Sequence, residues 1–350
     1  AGTGWAAHFY YEYYLHTGDR AFLEQRALPF MREAAQFYED FLVSGPEGAS
    51  VFSPSYSPEN NPANEESQAC INAAMDIGVA RELLRNLIAC DDQPRWRALQ
   101  ARLPEYLIGP DGALKEWATP RLADRHEHRH CSHLYALYDG LPDELATNAA
   151  LRRAFGVALS KRLDVRRREF RAGGGPDGRP PGEMVFGIVF EGLSAASLRD
   201  APACGEVLDW LARHYWQPNL VTTHNPDRLF NTDLCGGFPA FVIRTLVDAQ
   251  PGWLALLPAL PPQLPTGALE GVRCRGQIGV RRLAWSPTLI EATLRSDVDQ
   301  TVEVRPPDGH APRAVHLLAG QETRVVFDRT IPLDQAVSSA PHPVAAPSLP

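Results

Sequence analysis

The sequence has no hydrophobic run long enough to cross a membrane. A transmembrane helix needs about 20 consecutive apolar residues, whereas the longest apolar stretches here, at residues 184–190 and 253–257, are far shorter. Both stretches fit segments that are buried in a protein core. No membrane partner is therefore predicted.

An excess of positive charge is also lacking. The 350 residues include 34 lysines and arginines against 42 aspartates and glutamates, which gives a formal net charge of -8. Proteins that bind nucleic acid or anionic lipid surfaces usually present a basic patch. The composition therefore predicts no nucleic-acid partner, and it suits a neutral sugar better than a phosphorylated ligand.

Cysteine is sparse, and the six cysteines form no C-x-x-C pair. In a chain of this length their spacing excludes a disulfide-built scaffold, and most of the six are expected to be buried thiols. The chain also opens without a methionine and without a basic-then-apolar leader. We therefore expect a processed form or an internal part of a longer protein.

What the sequence does contain is a long series of helical patterns and then a change of pattern. Up to about residue 252 apolar residues recur at helical spacing, and afterwards short alternating runs lie between Gly, Pro and Asp turns. The helical hairpins suit a closed α/α toroid. Residues 236–248 are predicted to be helical, 253–266 to be an extended connector, and 331–350 to be a disordered tail rich in Pro, Ala and Ser.

Residues 52–60 form the first candidate functional segment. Its two prolines, Pro54 and Pro58, predict a stiff loop rather than a helix or a central strand. Glu59 follows directly. With Phe52 and Tyr56 close in sequence, its carboxyl pKa could be raised by apolar neighbours, which would suit a general acid. From this segment alone, a surface turn with a solvated glutamate is favoured over that interpretation.

The second candidate segment holds four histidines and a cysteine within residues 126–133. Imidazole and thiolate are good zinc ligands, so a metal-dependent hydrolase using His126, His128, His130 and Cys131 is one interpretation. The spacing lacks both the helical H-E-x-x-H pair and paired cysteines. A loop in which Arg129 and His130 bind sugar hydroxyls is favoured over the metal, and an incidental polar turn ranks third.

The third candidate segment is residues 230–238, where Asp233 precedes a Gly-Gly pair that is predicted to open a helix. Its carboxylate could point across a cleft, although an N-cap is the common role of Asp at such a place. A polar loop containing His224 enters the same region. Because alternate loops of a toroid meet on one face, two carboxylates with basic and aromatic groups predict glycoside hydrolysis.

The chain resembles the α-L-fucosidases of glycoside hydrolase family 95. The segments that carry the resemblance are Trp5-x-x-His8 with residues 13–19, then residues 53–59, Ala74-Met75-Asp76, residues 107–109 through Leu114-Lys115-Glu116-Trp117, and residues 128–138, 230–237 and 256–262. They occur in the family's order and cover most of residues 1–285. The match is therefore specific, although each motif alone would be weak.

The resemblance implies a mainly α fold: an (α/α)6 toroid that lacks its N-terminal helices, over residues 1–255, followed by a small all-β sandwich domain over 256–330. It implies removal of terminal α-linked L-fucose or L-galactose with inversion. No cofactor or metal is implied, and the family is secreted or periplasmic.

The resemblance also assigns roles to individual residues. Glu59 matches the general acid, and Asp233 matches the carboxylate that supports the attacking water. Arg129 and His130 match substrate-binding positions. Further substrate contacts are expected from Trp5, His8 and His224.

An alternative is a non-catalytic carbohydrate-binding remnant. The family's water-activating asparagines belong to a motif upstream of this chain. In addition, Cys235 replaces the asparagine of the usual Asp-Gly-Asn-Phe-Gly sequence.

Overall fold

The computed structural model describes residues 1–45, 50–171, 184–307 and 310–330. They form two compact units. The first comprises Ala1–Leu246 and Ala259–Gln263, and the second comprises Val247–Pro258 and the described residues from Leu264 onward. The tail at 331–350, for which disorder is predicted, lies outside the described residues.

The first unit is helical. Its described α-helices are, in chain order, α1 (Gly2–Thr17), α2 (Arg20–Phe22), α3 (Leu28–Phe41), α4 (Ala74–Cys90), α5 (Pro94–Ala101), α6 (Asp143–Thr147), α7 (Ala149–Arg171), α8 (Val185–Leu198), α9 (Ala201–His214) and α10 (Asp233–Leu246). A π-helical turn, Leu23–Ala27, joins α2 to α3, and a 3-10 helix spans Ser132–Leu137. Two short strand pairs complete the unit: β1 (Val43–Ser44) with β2 (Ser50–Val51), and β3 (Thr223–Asn225) with β4 (Arg228–Phe230).

Helix α4 contributes to both hydrophobic cores of the unit, because it is buried on more than one side. Ile77 and Leu84 pack into a core shared with α1, α3 and α5. Met75 and Val79 face a second core shared with α7, α8, α9 and α10. Gly4 of α1 lies so close to Val79 that a side chain there would overlap it. A helix that is apolar on more than one side is expected to be buried between other helices, as α4 is here.

The second unit consists of β-strands. They are β5 (Val247–Gln250), β6 (Trp253–Leu256), β7 (Gly267–Cys274), β8 (Ile278–Trp285), β9 (Leu289–Ser296), β10 (Gln300–Arg305), β11 (Arg313–Leu317) and β12 (Glu322–Asp328). They form two four-stranded sheets in the orders β11-β10-β6-β5 and β12-β9-β8-β7. Alternate residues of β9 and β10 are buried, so each sheet has one face in a core, as in a sandwich.

Two of these strands differ from the sequence-based expectation. The predicted helix over 236–248 ends at Leu246, and Val247–Gln250 is a strand. Trp253–Leu256, predicted as part of a connector, is a strand that pairs in parallel with β10. In β5, Val247 and Ala249 are buried and alternate with half-buried polar residues, which is the period of a strand rather than of a helix.

None of the described helices combines the length and the apolar character needed to cross a bilayer.

Candidate active site

The loop that carries Glu59 is fixed to the start of α4. Ser55 pairs with Cys70 in a short antiparallel bridge, and its hydroxyl donates to Asp76 Oδ2 over 2.6 Å. Asp76 belongs to the first turn of α4. Downstream, Gln68 Nε2 donates to the carbonyl oxygen of Glu59 over 3.0 Å. The proline-rich segment is therefore a rigid loop, as predicted, and it holds the backbone of Glu59 on both sides.

Glu59, Arg129 and His130 meet in space although 70 residues separate the first two. Arg129 Nη2 donates to Glu59 Oε2 over 2.5 Å, and His130 Nε2 lies 3.5 Å from the same oxygen. The hydroxyl of Ser132 donates to the carbonyl oxygen of Pro58 and ties the two loops together. Three of the predicted site residues thus form one group.

The pKa of Glu59 moves in the direction opposite to the one expected from the sequence. Its side chain is 57% exposed, so no apolar shell surrounds the carboxylate. The hydrogen bond from Arg129, followed by the charge of His130, lowers its pKa. Phe52, expected to raise the pKa, is buried in the core against Tyr38 instead. The expectation of a raised pKa was wrong, and the free site holds an ionised Glu59.

The histidine-rich loop is arranged for packing and hydrogen bonding. The rings of His128 and His130 stack with centroids 5.5 Å apart. Burial, and then the charge of Arg129, lowers the pKa of His128 to about 4. The thiol of Cys131 is buried, 3.6 Å from the Tyr138 hydroxyl. Within the described residues, this loop does not bring three metal-ligating atoms within 4.8 Å of one another.

Behind both loops lies a buried carboxylate to which the sequence analysis gave no role. Glu116 Oε1 accepts from the Ser57 hydroxyl over 2.7 Å, and its Oε2 accepts from Asn60 Nδ2 over 2.9 Å. Arg162 Nη2 of α7 also donates to Oε2 over 2.9 Å. Burial raises the pKa of Glu116, while these three partners oppose the rise. Arg162 Nη1 donates in turn to the carbonyl oxygen of His128 over 2.6 Å.

Asp233 lies in the first turn of α10, which begins at this residue rather than at the Gly-Gly pair. Its Oδ2 accepts from Asn231 Nδ2 over 3.0 Å, and its backbone N–H donates to Asn231 Oδ1. Helix α10 packs closely on α8, because a side chain at Gly237 would overlap Val189. Two residues earlier on α8, Gly187 packs against the carbonyl of Arg129. Helix α8 therefore lies between the Arg129 loop and the helix of Asp233.

His224 lies on the β3–β4 hairpin that leads into α10. Its Nδ1 is 2.5 Å from Asn225 Oδ1, and its ring is half-buried. The Thr222 hydroxyl donates to the carbonyl of Asn231 and lies 3.3 Å from the Cys235 sulfur. The hairpin is thus attached to the start of α10, near Asp233. A substrate-binding role for His224 stays a prediction.

Trp5 belongs to an aromatic cluster that reaches the site indirectly. Its ring makes edge contacts with Tyr135 at 5.6 Å and Phe190 at 6.1 Å between centroids. Phe190 contacts Phe186 at 4.7 Å, and Phe186 contacts His130 at 5.4 Å. The rings of Phe190 and Phe186 therefore lie between Trp5 and His130. Direct contact of Trp5 with substrate stays a prediction.

His8 sits in a separate group of charged side chains. Its Nδ1 is 3.2 Å from Glu82 Oε1, and its Nε2 is 3.3 Å from Asp139 Oδ2. Atoms of His8, Glu12 and Asp139 lie within 4.8 Å of one another, close enough to hold a metal ion. Asp139, however, also pairs with Arg244, and both ring nitrogens of His8 face carboxylates. An ion-pair network accounts for this group, and substrate binding by His8 stays a prediction.

A cavity of about 520 Å³ opens next to the Glu59 loop. Phe37 and Phe52 are among its apolar lining residues, with Tyr56 and Pro58 from the loop itself. Its volume falls within the range of small-molecule sites, about 300–1,000 Å³. Pro58, directly before Glu59, is in the wall, whereas Glu59 is not among the lining residues.

The chain consists of a helical unit followed by a β-sheet unit, and one set of loops in the helical unit brings together a carboxylate, an arginine and a histidine. The family model described as the glycosyl hydrolase family 95 catalytic domain matches residues 1–246. The model described as the glycoside hydrolase family 95 C-terminal domain matches residues 248–330. The chain belongs to glycoside hydrolase family 95.

Two curated relatives match this chain, at 27% and 22% identity. Alpha-L-fucosidase 2 of Arabidopsis thaliana is 27% identical over 313 residues, which cover 85% of this chain and 36% of the relative. Probable alpha-fucosidase A of Aspergillus niger is 22% identical over 322 residues, which cover 85% of this chain and 39% of the relative. The chain therefore spans well under half the length of these relatives.

Solved structures also share the fold. A protein described as a candidate kojibiose phosphorylase from the human microbiome superposes with a TM-score of 0.53 at 10% identity. The superposition covers 93% of this chain and 49% of that one. With the C-terminal domain match, it confirms the predicted fold class: helical hairpins of the six-hairpin type followed by a β-domain.

Proposed function

We propose that the complete protein is an inverting glycoside hydrolase that removes terminal α-linked L-fucose, or a related sugar such as L-galactose, from glycans. Family membership and the two fucosidase relatives support the reaction and the substrate class. The observation that carries the proposal for this chain is the rigid loop that presents Glu59 to Arg129 and His130.

In this proposal Glu59 is the general acid, and its proton passes to the glycosidic oxygen as the bond to the anomeric carbon breaks. Asp233 supports the water that attacks the opposite face of the sugar and accepts the proton that this water loses. The carboxyl groups of inverting enzymes stand about 6.5–9.5 Å apart so that a water fits between them.

Because Arg129 lowers the pKa of Glu59, the carboxylate must gain a proton before it can act. A bound sugar that engages Arg129 through its hydroxyls would weaken the ion pair and remove water from Glu59. Both changes raise the pKa of a carboxyl group. Arg129 and His130 are therefore proposed to contact the sugar and to couple its binding to protonation of the acid.

The test is Glu59→Gln in the complete protein. General acids contribute about 10²–10⁴-fold, and the loss should appear with alkyl or natural fucosides but be small with a dinitrophenyl fucoside, whose leaving group needs no proton. Glu66→Gln, at an exposed glutamate of the same loop, is the matched control. Equal rates for Glu59→Gln and the parent on an alkyl fucoside would remove Glu59 from the acid role. Proton NMR of the first-formed sugar anomer tests inversion.

A second candidate function is carbohydrate binding without catalysis. The lowered pKa of Glu59 favours it, because an ionised carboxylate can accept hydrogen bonds from a sugar but cannot protonate a leaving group. Calorimetry with L-fucose, combined with chromatography of a fucosylated oligosaccharide after long incubation, separates the two. Binding without any released fucose would establish the binding function.

A further inference from the structure

Glu116 connects the two loops that meet at the proposed acid. Its own backbone is fixed on both sides: the N–H donates to Asp124 Oδ1 over 3.0 Å, and the carbonyl accepts from the Ala74 N–H at the start of α4 over 2.9 Å. Lys115 Nζ lies 3.0 Å from Asp124 Oδ2 and balances its charge. The side chain of Glu116 is only 2% exposed. Its carboxylate is thus a fixed point inside the helical unit.

The Glu116 carboxylate binds the residues that flank Glu59 in the sequence. Ser57 and Asn60 are almost fully buried, and each donates one hydrogen bond to a different oxygen of Glu116. Asn60 also closes the turn, because its N–H donates to the Ser57 carbonyl over 2.7 Å. Pro58 and Glu59 are the two residues between these anchors. Glu116 therefore fixes the backbone on both sides of Glu59, through Ser57 and Asn60.

The same carboxylate also holds the partner of Glu59. Arg162, which is fully buried, bridges Glu116 Oε2 to the carbonyl oxygen of His128. Arg166 adds a second donor to that carbonyl over 3.1 Å. The next residue is Arg129, whose guanidinium pairs with Glu59. The contacts form a closed ring in which the buried pair sets the geometry of the exposed pair.

We propose that Glu116, acting through Arg162, is a positioning residue that sets the distance between Glu59 and Arg129 and thereby orients the proton of the general acid. This inference rests on the proposed function. An exposed ion pair between long side chains loses much of its energy to the ordering of both partners. A rigid frame that orders the backbone on both sides in advance reduces that cost, and small displacements of a catalytic group are expensive in rate.

A purely structural role makes a different prediction from a positioning role. Loss of a structural contact lowers the amount of folded protein and therefore reduces the rates on all substrates alike. Displacement of Glu59 reduces only the steps that need its proton. The ratio of rates on poor and good leaving groups separates the two, because a dinitrophenolate leaves without protonation.

The experiment compares Glu116→Gln, Glu59→Gln and the double variant in the complete protein. Glu116→Gln should lose about 10- to 100-fold in kcat/KM on an alkyl fucoside and less than about threefold on a dinitrophenyl fucoside. In the Glu59→Gln background it should change the ratio no further, because both act on one proton transfer. The control is Glu206→Gln. It removes the partly exposed partner of Arg167, which lies on α7 as Arg162 does, and it should leave both rates unchanged.

Ser57→Ala protects the test against failure of the first variant to fold, since it removes one hydrogen bond and leaves the Glu116–Arg162 pair in place. It should give the same selective loss at about two- to tenfold. Equal losses on both substrates for Glu116→Gln and Ser57→Ala would overturn the positioning role while Glu59→Gln still shows the leaving-group dependence. Absence of that dependence in Glu59→Gln itself would overturn the proposed acid and the positioning role together.

Discussion

Arg129 Nη2 lies 2.5 Å from Glu59 Oε2, in an ion pair whose side chains are 43% and 57% exposed. This contact and the nearby His130 lower the pKa of Glu59. An exposed pair is weakened by salt, because the Debye length is about 10 Å at 0.1 M and about 3 Å at 1 M. Arg129, an arginine accessible to solvent, therefore makes the largest contribution to the lowered pKa of the proposed acid.

We expect Arg129→Gln to shift the pH dependence of activity. The high-pH limb of kcat/KM reports the pKa of the free enzyme's essential acid. Removal of Arg129 raises that pKa, so the limb should move to higher pH even if kcat/KM falls at its maximum. Concentrated salt should move the limb of the parent in the same direction and leave that of the variant in place. The control is Arg121→Gln, at an exposed arginine whose carbonyl oxygen accepts from Asn64 Nδ2. A limb that moved to lower pH in Arg129→Gln would contradict the assignment of Glu59.

The buried pair predicts a large stability effect at Arg162. Arg162→Met leaves Glu116 without its cationic partner in a position that water does not reach. Breaking a buried pair in this way costs about 3–5 kcal/mol, and the thermal midpoint followed by circular dichroism at 222 nm should fall accordingly. Arg167→Met on the same helix breaks a partly exposed pair with Glu206 and should cost less than about 1 kcal/mol. Equal midpoints for the two variants would contradict the distinction.

The helical unit and most strands could be predicted from sequence because their hydrophobic periods are local. The period-two runs of β8 and β9 are clear, and the strands occur at Ile278–Trp285 and Leu289–Ser296. Strand β6 was missed because it contributes a run of only four residues and pairs in parallel with β10, about 50 residues later. No local signal reports such a partner, and the preceding β5 continues the apolar pattern of α10.

The site was only partly predictable, for a related reason. Glu59, Arg129 and His130 could be named because each lies in a distinctive loop motif, and the structure brings them together. Glu116 and Arg162 look like ordinary solvated charges in the sequence, and only tertiary packing shows that both are buried. The pKa of Glu59 was predicted in the wrong direction because sequence neighbours were taken as spatial neighbours.

The group around His8 predicts how stability depends on pH. Burial alone would lower the pKa of His8, but the hydrogen bond to Glu82 and the charges of Glu82, Asp139 and Glu12 together raise it above its usual 6.5. The folded state thus holds the proton more tightly than the unfolded state. This contribution is fully present below pH 6.5 and is lost as the pH rises through the raised value.

His8→Gln should remove that contribution. The difference in unfolding free energy between the parent and His8→Gln should be largest below pH 6.5 and should shrink as the pH rises above it. Denaturant unfolding at a series of pH values measures this difference. His316→Gln, at an exposed histidine of β11, should show no comparable trend in the helical unit. A difference that grew with rising pH would mean that His8 is held in its neutral form.

Gly187 offers a direct test of how α8 supports the Arg129 loop. It lies in the first turn of α8, where alanine has the higher helix propensity, yet a Cβ at this position would overlap the carbonyl oxygen of Arg129. Because that atom belongs to the backbone, the loop must move, and Gly187→Ala should cost about 1–3 kcal/mol as other overpacking changes do. It should also reduce kcat/KM, since the displaced loop carries Arg129 and His130.

Gly156→Ala in α7, where the nearest atom would be 4.0 Å away, should instead be neutral or stabilising and leave activity intact. If Gly187→Ala matched Gly156→Ala in both stability and rate, the close approach of α8 to the loop would have no role in holding it.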